Sequence, residues 1–138
     1  MHVLRKVREA GGGYEQVAAI LAPDIVFNSP VLSRPVIGRD LVARVMVASV
    51  AVRDGHYVSE IKSGALTYLH WKGTIRGEAI ESFEVIRDDD NGLITERTVA
   101  MRPFASLLLF RQEFRACMQD EIGADYFSVP AALAIEAT

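Results

Sequence analysis

The chain has one cysteine, Cys117, among 138 residues. That excludes a disulfide framework and any zinc site built on cysteines. It has no basic block either: 15 Lys and Arg stand against 18 Asp and Glu, for a net charge of −3 and a pI near 5.6. A polyanion needs a concentrated positive face, so no nucleic acid partner is expected. No apolar run approaches the ~20 residues of a membrane span, so no membrane partner is expected. The first ten residues are basic with no apolar segment behind them, which predicts no secretory signal and a cytoplasmic location. What the chain does have excludes disorder. Half its residues are hydrophobic, enough apolar surface to offset the entropy of ordering the chain. The length predicts a single domain.

Residues 2–9 precede Gly11, Gly12 and Gly13, so residues 1–13 read as a short N-terminal arm. Helical spacing of Val17, Ile20 and Leu21 predicts a helix over 14–21, ended by Pro23. A strand over 24–29 follows, closed by Pro30. Leu41, Val42, Val45, Met46, Ser49 and Val50 predict a second helix, stopped at Asp54 and Gly55. Strand-like runs then cover 65–75, 79–87 and 93–102, with a shorter one near 57–61. Asn91-Gly92 between two of them signals a two-residue hairpin turn with positive φ at both positions. A last helix is predicted over 104–118, and residues 119–138 form an apolar tail that either covers a cavity mouth or makes an oligomer contact. Strands grouped after helices indicate α+β: a curved, mixed, mostly antiparallel sheet wrapped on helices.

Leu21, Pro23, Asp24, Phe27, Asn28, Ser29 and Pro30, followed by Pro35, Gly38, Arg39 and Asp40, resemble the opening of SnoaL-like domains. Those domains belong to the nuclear transport factor 2-like superfamily of cone-shaped α+β barrels. The run from Glu84 through Gly92 to Glu96, with Met101, Arg102 and Pro103, is similar to that family's final hairpin. The resemblance covers roughly residues 12–118. It implies a barrel with an internal cavity. It does not single out a function, because the superfamily includes isomerases, cyclases, epoxide hydrolases, dehydratases and binding modules.

A two-residue turn at Asn91-Gly92 sets Glu84 opposite Val99 and Arg97 opposite Ile86. Glu84 and Arg97 are then diagonal neighbours on one sheet face. The resemblance implies that the Glu84 position points into the cavity, where ketosteroid isomerases carry a carboxylic acid that donates to the developing oxyanion. Such a donor must be protonated, and a neighbouring Arg97 favours the carboxylate instead. At the position of the isomerases' basic aspartate stands Ser29, which has no basicity to offer unaided. Their first-helix tyrosine corresponds by an ungapped count to Arg5. Steroid-isomerase chemistry is therefore disfavoured.

Other constellations read as structure. His70 alternates with Tyr68 and Lys72, away from Leu69 and Trp71, and no histidine pair has metal-ligand spacing, so no metal is expected. Asp88 to Gly92 fails as a calcium loop, because Arg87 and Thr98 occupy ligand positions. Cys117 falls on the apolar stripe of the last helix and reads as a buried small hydrophobe.

The sequence thus predicts a pocket for a small apolar molecule, without a cofactor. Phe27, Ser29, Leu69, Trp71, Val99 and Met101 would line it. If it is catalytic, Glu84 is the acid–base group of a cyclase, hydrolase or dehydratase, and Arg97 its electrostatic partner. The alternative is a non-enzymatic binding or association module with a filled interior. A homodimer is expected through an outer sheet face carrying Tyr68, Phe83, Val85 and Ala100.

Overall fold

The structure is a computed structural model and describes residues 1–133. In chain order its elements are α1 (Val3–Glu9), α2 (Tyr14–Ala18), β1 (Leu21–Asn28), β2 (Val36–Ile37), α3 (Arg39–Ala51) and β3 (Asp54–Ser63). Then come β4 (Leu66–Ile75), β5 (Glu78–Asp88), β6 (Ile94–Arg102), α4 (Phe104–Ile122) and a 3₁₀ turn (Ala124–Phe127). The strands form one sheet in the order β2-β1-β6-β5-β4-β3. Only β1 and β6 run parallel, and every other pairing is antiparallel. This is the mixed α+β sheet that the sequence predicts. No helix among the described residues is long and apolar enough to cross a membrane.

Alternation along the long strands decides which face is inside. On β5, Ile80, Ser82, Glu84 and Ile86 are buried, while Phe83 is exposed. Their neighbours Thr67, Leu69, Trp71 and Ile75 on β4, and Arg97 and Val99 on β6, share the buried face. Helix α3 packs on it through Val42, Val45 and Met46, and α4 through Phe110, Phe114 and Met118. Burying one large aliphatic or aromatic side chain is worth about 1.5–3 kcal/mol, so this shared core dominates stability.

Several boundaries differ from the sequence expectation, each for a physical reason. Pro23 does not end a helix: α2 stops at Ala18, and β1 runs through Pro23 where its pairing with β6 is irregular. A proline lacks the N–H that a regular ladder needs, and an irregularity tolerates it. Strand β3 spans ten residues rather than five, starting at Asp54. It is an edge strand in which Tyr57 is buried and Glu60 half-buried while the other residues are exposed, so it shows no hydrophobic alternation.

The hairpin at Asn91-Gly92 is not the two-residue turn. Only Gly92 has positive φ there, at 80°. Gly92 N–H donates to Asp89 O at 3.0 Å, and the Asp89 carboxylate accepts from Asn91 N–H and Leu93 N–H, each at 2.9 Å. The loop is thus one residue longer, and a bulge opposite Arg87 and Asp88 restores the register. Glu84 opposes Val99 and Arg97 opposes Ile86 after all.

The segment before the glycine triplet is a helix whose Leu4 is fully buried in the core. Beyond residue 118, α4 continues to Ile122, and the 3₁₀ turn buries Tyr126 and Phe127. Ser33 N–H donates to Tyr126 O at 2.7 Å, pinning this part of the tail beside the loop after β1. The final tail residues, 134–138, lie outside the described residues. Cys117 is exposed rather than buried. Residues spaced by four drift about 40° around a helix per step, so the stripe from Phe110 to Met118 turns away from Cys117.

Candidate ligand cleft

Arg97 donates to Glu84 through Nε at 3.2 Å and Nη2 at 2.9 Å, a bidentate pair. Glu84 is 3% exposed and Arg97 2%. Burial works against the Arg97 guanidinium, but the charge and hydrogen bonds of Glu84 outweigh it and raise its pKa. A carboxylate offers about four acceptor sites, so two remain for another donor.

The interior on one side of this pair is nearly full. Phe27, Ser29, Arg97, Val99 and Met101 surround a void of only about 10 Å³ together with residues of α3 and α4. One water molecule occupies that much. Ser29 Oγ accepts from Val31 N–H at 3.2 Å, and Asn28 Nδ2 donates to Thr98 Oγ1 at 2.9 Å, so both are engaged in local bonds. The Arg97 guanidinium lies 5.0 Å from the Phe27 ring centre. Leu69 is buried opposite Glu84 on the neighbouring strand.

On the other side the space is open. A cleft of about 370 Å³ is lined by Glu84, Trp71, Tyr57, Ser82, Val50, Arg8, Arg53 and the start of β3. That volume lies at the lower end of small-molecule sites. Trp71 forms a wall, and its indole crosses a pair of facing glycines, Gly55 on β3 and Gly73 on β4. A Cβ on Gly55 would lie 2.3 Å from Trp71 Cζ2, and one on Gly73 2.0 Å from Asp54 O. The two strands approach this closely only because neither residue has a side chain.

Two guanidinium groups reach this cleft, those of Arg8 and Arg53. Arg53 donates from Nε to Ser49 O at 3.1 Å, and its guanidinium lies 4.4 Å from the Trp71 ring centre. Arg8, on α1, donates from Nη1 to Met46 O at 3.3 Å. Arg8 is half-buried as a residue, yet its Nε and Nη2 are shut off from solvent and have no hydrogen-bond partner among the described residues. Burial, reinforced by repulsion from Arg97, pushes Arg8 down to about 9 and Arg53 to about 10. Both still carry charge at neutral pH. Values depressed in the folded state mean that burial of these cations costs stability at neutral pH, a cost relieved only above about pH 9. Burial, then the charge of Glu84, raises the Tyr57 hydroxyl.

His56 lines the same cleft as Glu84. His70 stacks on Phe83 on the outer face, with ring centres 4.4 Å apart. No cluster of potential metal ligands occurs among the described residues.

The sequence matches no protein-family model, and no curated protein matches it. Solved structures do match. An uncharacterized protein with a cystatin-like fold from Silicibacter pomeroyi DSS-3 is 23% identical, with a TM-score of 0.81 over 86% of this chain and 84% of that one. A steroid delta-isomerase from Pseudomonas aeruginosa is 22% identical, with a TM-score of 0.79 over 85% of this chain and 87% of that one. A SnoaL-like protein of unknown function from Burkholderia thailandensis E264 is 10% identical, with a TM-score of 0.59 over 73% of this chain and 89% of that one. The chain has the nuclear transport factor 2-like fold.

Within this nuclear transport factor 2-like fold, the residues proposed from sequence divide between two places. Trp71 and Glu84 line the open cleft and Phe27, Ser29, Arg97, Val99 and Met101 surround the filled interior, while Leu69, paired with Glu84, lines neither. Arg5 pairs with Glu9 through Nε at 2.8 Å and does not line the cleft. Sequence reasoning missed Arg8, Arg53 and Tyr57. A signal existed for Arg53, which follows the apolar stripe of α3 and so falls near the helix C-terminus, a position that favours a cation. Arg8 carried none, because only the packing of α1 brings it to the cleft.

Proposed function

We propose that the protein binds a small molecule in the cleft between α1, β3 and β4–β5. The observation that carries this reading is a 370 Å³ cleft with the buried Glu84 carboxylate in its lining. Trp71, Val50 and Tyr57 supply apolar contact, and Glu84 accepts a hydrogen bond or a proton from the ligand. In catalytic form this is acid–base chemistry of the cyclase, hydrolase or dehydratase sort, with Glu84 as proton acceptor and Arg97 holding it in place. Glu84 is disfavoured as a proton donor because both its oxygens accept from Arg97. One buried core shared by the described residues supports a single domain, and the exposed free thiol of Cys117 suits a reducing cytoplasm.

Trp71 is the only tryptophan in the chain and lines the cleft, so its fluorescence reports occupancy directly. A small-molecule library should contain members that change Trp71 emission saturably in the wild type. They should lose affinity in Glu84→Gln. Emission unmoved by any member contradicts the reading.

A second reading rests on the outer face, where Ile61, Tyr68 and Phe83 are 66%, 42% and 45% exposed around a shallow apolar groove. Monomers seldom leave such a patch bare, and a two-fold axis covers it with its own copy. We propose a homodimer through this face. Light scattering at tens of micromolar should give a dimer mass for the wild type and a monomer mass for Phe83→Glu; a monomeric wild type rules the dimer out.

A further inference from the structure

The polar groups around the cleft do not balance in charge. Arg8 and Arg53 line it, and the buried carboxylate whose charge acts on both, Glu84, is already held through Nε and Nη2 by Arg97, which borders the filled interior. Glu9 and Asp54 also line the cleft, but both are exposed. Glu9 pairs with Arg5, and neither carboxylate forms an ion pair with Arg8 or Arg53 among the described residues. Two positive charges are thus left without a carboxylate partner at the wall of the cleft.

The hydrogen bonding shows the same surplus. Arg8 has five N–H donors, and among the described residues its one hydrogen bond runs from Nη1 to the Met46 carbonyl, with Nε and Nη2 shut off and without a partner there. Arg53 is anchored from behind by the Ser49 carbonyl and stacked against Trp71. Both guanidiniums are therefore fixed by carbonyls of the same helix, α3. Fixing a cation in advance and leaving donors unmade is costly for stability alone. It is what an oxyanion site requires, since planar guanidinium forks match carboxylate and phosphate oxygens.

We infer that the ligand of this cleft carries an oxyanion, a carboxylate or phosphate, that docks on Arg8 and Arg53 while an apolar body lies against Trp71, Val50 and Tyr57. This rests on the cleft being the ligand site and adds the class of ligand it takes. The two arginines are binding residues, and Glu84 stays available to a donor elsewhere on the same molecule.

Four probes of similar size test it by calorimetry and Trp71 fluorescence: benzoate and phenyl phosphate as anions, benzamide and phenol as neutral counterparts. At least one anion should bind about tenfold or more tightly than its neutral counterpart, as charge-assisted bonds to paired guanidiniums imply. The benzoate and phenyl phosphate arms then show which oxyanion the cleft takes. Arg8→Met and Arg53→Met should each lose most of that affinity, and the Lys variants should retain part of it, because a point charge remains without the fork. Arg8→Met should also melt at a higher temperature than the wild type, since a buried cation with unmade bonds is gone.

Three results with bound probes overturn the inference. The neutral probes bind as tightly as the anions, or anion affinity is unchanged in the Met and Lys variants alike. In the third, Arg8→Met melts lower and binds the anion as the wild type does, which makes Arg8 scaffold. If none of the four probes binds while neutral library members change Trp71 emission, the oxyanion inference falls and the cleft reading stands. If no small molecule of either kind changes that emission, both fall.

Discussion

Glu84→Gln should destabilise the fold by roughly 3–5 kcal/mol, the cost of removing one partner from a buried ion pair. The reason is specific to the site. Glu84 is the buried carboxylate among three converging guanidiniums, and Arg97 is only 2% exposed. Without the carboxylate, Arg97 is a stranded charge facing two like charges. Arg97→Met should cost less, because Glu84 then remains close to Arg8 and Arg53, whose charges compensate it. The double variant Glu84→Gln/Arg97→Met should recover part of the loss, since replacing a whole buried pair by apolar groups is often near neutral. Urea denaturation of the four proteins gives the coupling, provided their m-values agree. A pair that behaved like an exposed one would give single effects within ~1 kcal/mol and no coupling.

Gly73→Ala should cost roughly 3 kcal/mol, the upper end of what overpacking a tight site usually costs. The new Cβ would sit 2.0 Å from Asp54 O and 2.4 Å from Trp71 Cη2. The first contact is backbone, so the β3–β4 pairing must open; the second pushes the indole out of the cleft wall. The substitution should therefore shift Trp71 emission as well as lower the midpoint of unfolding. Glycine at this site is demanded by close approach and not by backbone conformation, as no positive φ occurs at Gly55 or Gly73. Unchanged stability in Gly73→Ala would mean that the strands are farther apart than described.

Those two sites also show what the sequence could and could not convey. The Glu84–Arg97 geometry was legible because β5 and β6 alternate cleanly, and one hairpin signal fixes their offset. The register was right although the turn type was wrong: Asp89 caps a longer loop, and one bulged residue compensates. Trp71 was legible from its place opposite His70 in the alternation of β4. The glycine pair was not, since its meaning depends on the partner strand, and β3 is an edge strand without a periodic pattern. Arg8 was hidden for another reason. A basic residue in a short N-terminal helix looks like solvated surface until Leu4 is seen buried and the helix docked. Phe27, Val99 and Met101 were correctly inward-facing, but inward meant core for them. Alternation groups the residues of one face, the family resemblance chose which face is inner, and neither says which part of it stays empty.

The central claim is that the space between α1, Trp71 and Glu84 is a ligand site. A crystal structure determined after soaking with benzoate and phenyl phosphate tests it most directly. The account predicts density for the anion in that cleft, its oxygens on the Arg8 and Arg53 guanidiniums and its ring against Trp71, with the Glu84–Arg97 pair intact. An empty cleft, with α1 collapsed onto Trp71 or density only on the outer sheet face, would contradict it.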